Sequence, residues 1–530
     1  MRFLLSLAAT LCVCAVSNER LQAQDSSVAH QAPLLSDAPG GPRGDCVAPS
    51  QLVDGLNAIR VSRLSEVAFE PRDLPRVPFI PIGATLYADL LPPGYMDHDA
   101  TSPGYRDYSC NAFTYDGHAG TDLGLHSFAE QDVGVPVFSA LDGVVVYSHD
   151  GEPDKSTCLC GAPANALIID HGNGLYGWYW HFRTSTVAYL VGQHVVAGAQ
   201  LGLAGSSGNS GGPHLHLGFA DVNGNPYDPF SGPCGGPGLW TNQPALDLHT
   251  YVADFGFSTQ NLSGLPYYPY AFPNTGQMGF DEYLWFWAQV VNLPPHSTWR
   301  QKYIQPNGVV AFDSGSITFE ANQTDFYRVG NWWWYSYYIW QMREMAGVWR
   351  IQLLINEEIA IDAPLVVKPV ADPNFNRPPA PIGAHFEPAA PIEGDVVFAR
   401  VDAPLALDDP DYDRVRYHYV WKRNGTTVRD VTWAGRGDAM PRTAFAAGDI
   451  ITCVITPSDG KVNGPGATIT VTMAAACRAD FNGDQFLDFT DFDDFVGAFE
   501  AGLGTSDFNG DGFLDFTDFD DFVGAFEAGC

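Results

Sequence analysis

Residues 205–219 read GSSGNSGGPHLHLGF. A run of Gly and Ser leads directly into His214-Leu215-His216-Leu217. In an extended strand, residues two apart share a face. His214 and His216 are therefore expected on one side and Leu215 and Leu217 in a core. Paired imidazoles on a rigid strand, beneath a loop rich in accessible backbone, are what a metal site needs. Two further pieces lie upstream. His118-Ala119-Gly120-Thr121-Asp122 sets an imidazole and a carboxylate four residues apart, and Trp178-Tyr179-Trp180-His181 ends an aromatic strand in a histidine.

Taken in order, the HxxxD segment, the aromatic-flanked His and the Gly/Ser loop followed by HLH resemble the LytM/lysostaphin-type zinc metallopeptidases, peptidase family M23. VPVFSALDGVV at 135–145 and VAGAQLG at 196–202 resemble the strand after that family's first motif and the turn before its last. The resemblance covers roughly residues 76–232. It implies an antiparallel-sheet domain in which His118, Asp122 and His216 hold a catalytic Zn²⁺. Such a zinc keeps one position for water and lowers its pKa to about 7. His181 and His214 are then implied to flank that water. One would accept its proton, and one or both would hydrogen-bond the oxyanion, imidazole being suited to either task; which does which stays open. All five residues are present, so the resemblance implies an active zinc metalloendopeptidase. The residues themselves argue for zinc-dependent amide hydrolysis. The substrate, peptidoglycan cross-bridge or stem peptides or another Gly-rich peptide, comes from the resemblance alone.

The chain has 530 residues and a net charge of −34. Several domains are expected at that length. The acidity excludes nucleic acid as a partner, because phosphate binding needs clustered Lys and Arg. Met1-Arg2 followed by apolar residues 3–16 reads as a secretory signal peptide ending at residue 23. The protein is accordingly expected to be exported: secreted, periplasmic or associated with the cell surface. No later stretch is apolar for long enough to form a transmembrane segment. Outside the signal there are eight cysteines: Cys46, Cys110, Cys158, Cys160, Cys234, Cys453, Cys477 and Cys530. An even number in an exported chain points to disulfides, and Cys158-Leu159-Cys160 is read that way rather than as a soft-metal pair.

The expected fold class is mainly β and multidomain. Residues 24–75 read as a linker or pro-segment with one short helix near 51–63. The peptidase-like domain at 76–232 is followed by an aromatic-rich β-sandwich at 233–370. Its Trp and Tyr residues at 332–340 are read as core rather than as a carbohydrate groove. A Pro-rich linker at 371–383 leads to an Ig/PKD-like module at 384–476, with a hairpin turn at Asn424-Gly425. Asp408, Asp409, Asp411 and Asp413 are read as a solvated acidic turn rather than a calcium site. His126, His149, His171 and His194 are read as turn or surface residues.

Residues 477–530 hold an internal repeat, DFNGDQFLDFTDFDDFVGAFEAG followed by DFNGDGFLDFTDFDDFVGAFEAG 27 residues on. Oxygen-bearing side chains fall at alternating loop positions: Asp480, Asn482, Asp484, Asp488 and Asp491, then Asp507, Asn509, Asp511, Asp515 and Asp518. Such spacing suits Ca²⁺, which takes six to eight oxygens. The pair resembles a dockerin-type calcium module with one loop and one helix per repeat. The sixth loop position is Gly512 in the second copy but Gln485 in the first, so the first loop is expected to bind more weakly. Cys477 and Cys530 would clasp the ends. A cohesin-like or surface partner would use the helix faces around residues 495–499 and 522–526. Two other functions compete: a secreted protease acting on external Gly-rich proteins, and an attached adhesion protein whose calcium-binding tail is the main functional element.

Overall fold

The computed structural model describes residues 47–63, 74–91, 94–101, 103–159, 161–262, 271–319, 331–336, 339–402, 408–482 and 487–529. The signal segment, Cys46, Cys160, Asp484, Gln485, Cys530, Tyr337 and Tyr338 lie outside these residues, as do the side chains of 331–335. The described chain is mainly β. No described helix is long and apolar enough to cross a membrane.

The first unit begins with helix α1 (Pro49–Arg63). Next come β1 (Thr121–Gly124), the short helix α2 (Phe128–Val133), β2 (Pro136–Phe138), β3 (Gly143–His149), β4 (Ala166–Asp170) and β5 (Tyr176–Trp180). β6 (His194–Val195), β7 (Gln200–Leu203), β8 (His214–Ala220) and β9 (Pro226–Tyr227) complete it. The main sheet is antiparallel in the order β1-β8-β5-β4-β3-β6, with β9 on β8 and a separate β2–β7 ribbon. Alternation decides its two faces. Leu215, Leu217 and Phe219 of β8 join Leu123, Val145, Leu167, Ile169 and Tyr179 in one core. Ala220, Trp178, Trp180, Ile168 and Val146 lie in a second cluster on the opposite face.

Helix α1 lies on that second face. Ile59 is fully buried against the same cluster. The Gln51 carboxamide donates to Ala164 O at 2.7 Å and accepts from Ala164 N at 2.6 Å. Gly55 allows the close approach, since a Cβ there would lie 2.6 Å from Ile168 Cδ1. A disulfide between Cys110 and Cys234 ties the chain before β1 to the chain after β9.

The second unit pairs a three-stranded sheet (Tyr251–Ser258, Trp285–Val291, Asn331–Ser336) with a six-stranded one that contains Gly347–Ile355 and Glu358–Lys368. They share a core that includes Phe286, Trp299, Tyr303 and Trp349. The third unit is again two facing sheets, around Trp421, whose Nε1–H donates to Asp438 Oδ2 at 2.9 Å. Asn424 and Gly425 both take positive φ, 50° and 83°, as a two-residue hairpin turn requires.

Three expectations need correction. Asp409 and Asp411 are buried, not solvated. Arg377 pairs with Asp411 and Lys461 with Asp413, while Asp409 Oδ1 accepts from the main-chain N–H groups of Asp411 and Asp413. His126 is also buried: Glu130 accepts from its main-chain N–H and is itself bound by Arg414 of the third unit. Arg414 reaches Asp254 of the second unit as well, at 2.8 Å, so one guanidinium joins all three units. Cys453 is a thiol inside the third core, and burial pushes its pKa up.

At the C-terminus, α3 (Phe489–Glu500) and α4 (Phe516–Ala528) each begin with a capping box, Asp488 with Asp491 and Asp515 with Asp518. Phe495 and Phe522 stack on each other at 3.9 Å between ring centroids and are fully buried. They therefore cannot serve as partner contacts. Among the described residues of this tail the exposed rings are Phe489, Phe513 and Phe516. Cys477 is disulfide-bonded.

Candidate metal and catalytic centre

β1 and β8 run side by side with Asp122 opposite His216 and Gly124 opposite His214. This register, with the alternation along β8, brings HxxxD and HLH onto one face. His118 Nε2 lies 3.3 Å from Asp122 Oδ1 and 3.3 Å from His216 Nδ1. His216 Nδ1 lies 3.0 Å from Asp122 Oδ1. The three donor atoms fall within 4.8 Å of one another and all three residues are buried. Among the described residues no other three His, Cys, Asp or Glu side chains converge so closely, and that includes the second C-terminal loop. There Asp507 accepts from the main-chain N–H groups of Gly510, Asp511 and Gly512.

His214 and His181 stand beside this cluster. His214 Nε2 is 3.5 Å from Asp122 Oδ1 and makes no hydrogen bond to the described residues. The His181 and His214 rings are 4.4 Å apart. Strict alternation would send His181 to the opposite face from Trp180. His181 instead has φ of 71°, in the left-handed region, which turns its ring back toward His214.

The main chain orients the imidazoles. His118 Nδ1 is 2.7 Å from Tyr95 O, His181 Nδ1 is 2.7 Å from Ser207 O, and His214 Nδ1 is 2.8 Å from Gly212 O. A carbonyl only accepts, so each Nδ1 carries the proton and each Nε2 keeps its lone pair. The Gly/Ser loop thus supplies carbonyls that set tautomers. Burial alone would raise the Asp122 pKa, but His118 and His214 beside it hold the carboxylate well below its usual range. Burial pushes the His181 imidazole well down, helped by His214 and His216. Burial also lowers His214, against the pull of Asp122.

Two residues here escape sequence reasoning. Tyr115 stacks on His118 at 4.3 Å, and its hydroxyl donates to Asp122 Oδ2 at 3.3 Å. It lies three residues before His118, a spacing with no pattern to single it out. Gly120 is pressed against His216: a Cβ there would lie 2.7 Å from His216 Cε1 and 2.8 Å from Leu217 O. Its place within HxxxD marks it, though its reason is visible only in three dimensions.

Three nitrogen and oxygen donors with two imidazoles beside them form a metallopeptidase-type arrangement. Residues 116–229 match the model described as Peptidase family M23. The chain is 36% identical over 98 residues to DD-carboxypeptidase/endopeptidase Mpg of Neisseria meningitidis serogroup B, covering 18% of this chain and 20% of that protein. It is 33% identical over 99 residues to peptidoglycan DD-endopeptidase ShyA of Vibrio cholerae, covering 19% of each. The chain therefore spans about a fifth of the length of these curated relatives. A solved zinc-containing peptidase from Vibrio cholerae aligns with 25% identity and a TM-score of 0.21, over 30% of this chain and 39% of that one.

Proposed function

We propose that the protein is an exported zinc-dependent metalloendopeptidase that hydrolyses peptidoglycan stem or cross-bridge peptides. The observation that carries this reading is the convergence of His118, Asp122 and His216 in one buried cluster with His181 and His214 alongside. The donor set fits zinc: two imidazole nitrogens and a carboxylate oxygen are borderline-to-hard ligands, and three of them leave a coordination position open. The buried His214 Nε2, without a hydrogen-bond partner among the described residues, fits a site that receives a further polar group. Zinc held there supplies Lewis-acid polarisation of the scissile carbonyl and a water acidic enough to attack near neutral pH.

The remaining work falls to the side chains. Tyr95 O and Tyr115 keep His118 and Asp122 in place. His181 and His214 present Nε2 lone pairs, so one of them takes the water proton as the oxygen bonds to the carbonyl carbon. That imidazolium returns the proton to the amine as the C–N bond breaks. The other imidazole is placed to hydrogen-bond the carbonyl oxygen while it carries charge.

The substrate reading is supported by the relatives' names, DD-carboxypeptidase/endopeptidase and peptidoglycan DD-endopeptidase. Export is supported by the signal-like segment and the Cys110–Cys234 disulfide. The C-terminal repeat is read as a dockerin-like, calcium-binding attachment module for a cohesin-like or surface partner. Its two capped helices and the exposed Phe489 and Phe516 support that role. The test is zymography on purified peptidoglycan with the mature chain, His216→Ala, and a chelated sample restored with Zn²⁺. Clearing is expected only with both zinc and His216. Failure of the purified chain to bind zinc would overturn the reading.

A further inference from the structure

Antiparallel pairing of β4 with β5 sets Ala166 opposite Trp180. Asn165, just before β4, therefore stands opposite His181, just after β5, and both are fully buried. The position matters because His181 is where the alternation of the sheet breaks. A non-glycine residue with φ of 71° returns to the ordinary regions unless its surroundings hold it. That return would swing the ring away from His214, 4.4 Å from it. Pairing of Trp180 holds the chain before His181, so the two peptide groups after it are the ones that need fixing.

Asn165 fixes both. The Phe182 N–H donates to Asn165 O at 3.0 Å, and Asn165 Nδ2 donates to Phe182 O at 3.0 Å. The carboxamide also grips residue 152: Nδ2 donates to Glu152 O at 3.0 Å, and Oδ1 accepts from the Glu152 N–H at 2.7 Å. The Asn165 N–H donates to Ser207 Oγ at 2.9 Å, and that hydroxyl donates to Phe182 O at 2.9 Å. Ser207 completes the circuit, because its carbonyl accepts from His181 Nδ1 at 2.7 Å. One side chain thus ties the turn after β5 to the segment at Glu152 and to the loop that sets the His181 tautomer.

Only one orientation of the carboxamide satisfies these partners; flipped, it would set its oxygen against two carbonyls and its NH2 against an N–H. Aspartate has the same shape but neither donor. Glutamine is a methylene too long for a fully buried position. Leucine leaves the buried Glu152 contact without its acceptor. None of the Asn165 hydrogen bonds goes to His118, Asp122 or His216. We propose that Asn165 is a positioning residue for catalysis, its carboxamide holding His181 in the left-handed conformation that sets the imidazole beside His214 and the metal cluster. This rests on the peptidase reading above.

The test uses the full zinc-loaded chain and a purified cross-linked disaccharide-peptide dimer released from peptidoglycan, with cleavage followed by chromatography. Asn165→Asp keeps the size and removes both donors. Ser207→Ala keeps the carbonyl on His181, removes the hydroxyl between Asn165 and Phe182, and serves if the first variant fails to fold; melting curves establish which variants are folded. In Asn165→Asp, kcat should fall about 10- to 100-fold, with KM and zinc affinity within about twofold of wild type. Ser207→Ala should lower kcat in the same way, by about threefold to tenfold. A double-mutant cycle with His181→Ala separates positioning from a general structural role: without the imidazole, the Asn165 substitution should cost less than about threefold. A second readout needs no substrate. With isotope-labelled histidine, the His181 Nδ1–H is assigned by its loss in His181→Ala, and its exchange with solvent should quicken at least about 10-fold in Asn165→Asp. Equal losses with and without the His181 imidazole, or unchanged exchange of that proton, overturn this inference and leave the peptidase reading standing. No cleavage by the zinc-loaded wild type overturns both.

Discussion

Gly120→Ala puts one methyl group where the structure has no room for it. The new Cβ would lie 2.7 Å from His216 Cε1, 2.8 Å from its Nε2 and 2.8 Å from Leu217 O. Carbon pairs rest at about 3.5–4.0 Å, so something must retreat by about 0.8 Å. Leu217 O belongs to the main chain of β8, which is paired to β1 at Thr121, and has little freedom. The His216 ring must therefore move, and its Nδ1 is the atom that faces His118 and Asp122. Metal–ligand distances tolerate only about 0.2 Å. The displacement thus removes one of three ligands, and zinc affinity should fall by at least about 100-fold, beyond what loss of an outer hydrogen bond costs. Overpacking should also lower stability by about 1–3 kcal/mol. The assay is competition with a chromophoric chelator, with melting curves taken with and without Zn²⁺. Gly497→Ala is the control: a Cβ there meets nothing within 4 Å, and it lies inside α3, so stability should rise by about 0.5–1 kcal/mol with zinc binding unchanged. Wild-type zinc affinity in Gly120→Ala would refute the reasoning.

Tyr115→Phe keeps the stack on His118 and loses the hydroxyl on Asp122; zinc affinity should drop about 10-fold, and further in Tyr115→Leu, by the same competition assay. Burial raises the Asp409 pKa to about 7 from 3.8, and its Oδ2 lacks a partner among the described residues. A raised carboxyl favours the protonated fold, so the stability that depends on Asp409 should be fully present below pH 3.8 and be lost as the pH rises to about 7. Asp409→Asn should abolish that decline, gaining at most about 4 kcal/mol over wild type by pH 8 in denaturant titrations. Calorimetry with Ca²⁺ should resolve two unequal binding steps in the C-terminal repeat. Gln485→Gly should tighten the weaker step about 10-fold, since a left-handed turn then costs little. A single step, or no effect of that substitution, would count against the loop reading.

Much of the candidate centre was legible because its pieces depend on local rules. Alternation places His214 and His216 on one face once β8 is a strand, and the leucines between them confirm which face is core. The Asn424-Gly425 turn and the two capped C-terminal helices follow from turn and cap chemistry in the same way. Alternation fails at His181, where a strained φ overrides it. Composition likewise misleads at Asp409 and Asp411, which are acidic yet buried: Arg377 arrives from a distant segment to pair with Asp411, while Asp409 accepts from the main-chain N–H groups of Asp411 and Asp413. The ring pairs Phe495 and Phe522 read as exposed helix stripes until the two helices are seen to bury them against each other.

The sequence alone determined the identities of the candidate site residues, their order in three motifs and the strand that pairs His214 with His216. Those properties reside in spacing and residue chemistry over a few residues. Only the tertiary structure decided that His118 and His216, 98 positions apart, come within 3.3 Å, that Gly120 sets the ring of His216, and that α1 lies on the ligand-bearing face. Such contacts depend on strand register and on which surface a helix buries, and long-range packing rather than local pattern settles both.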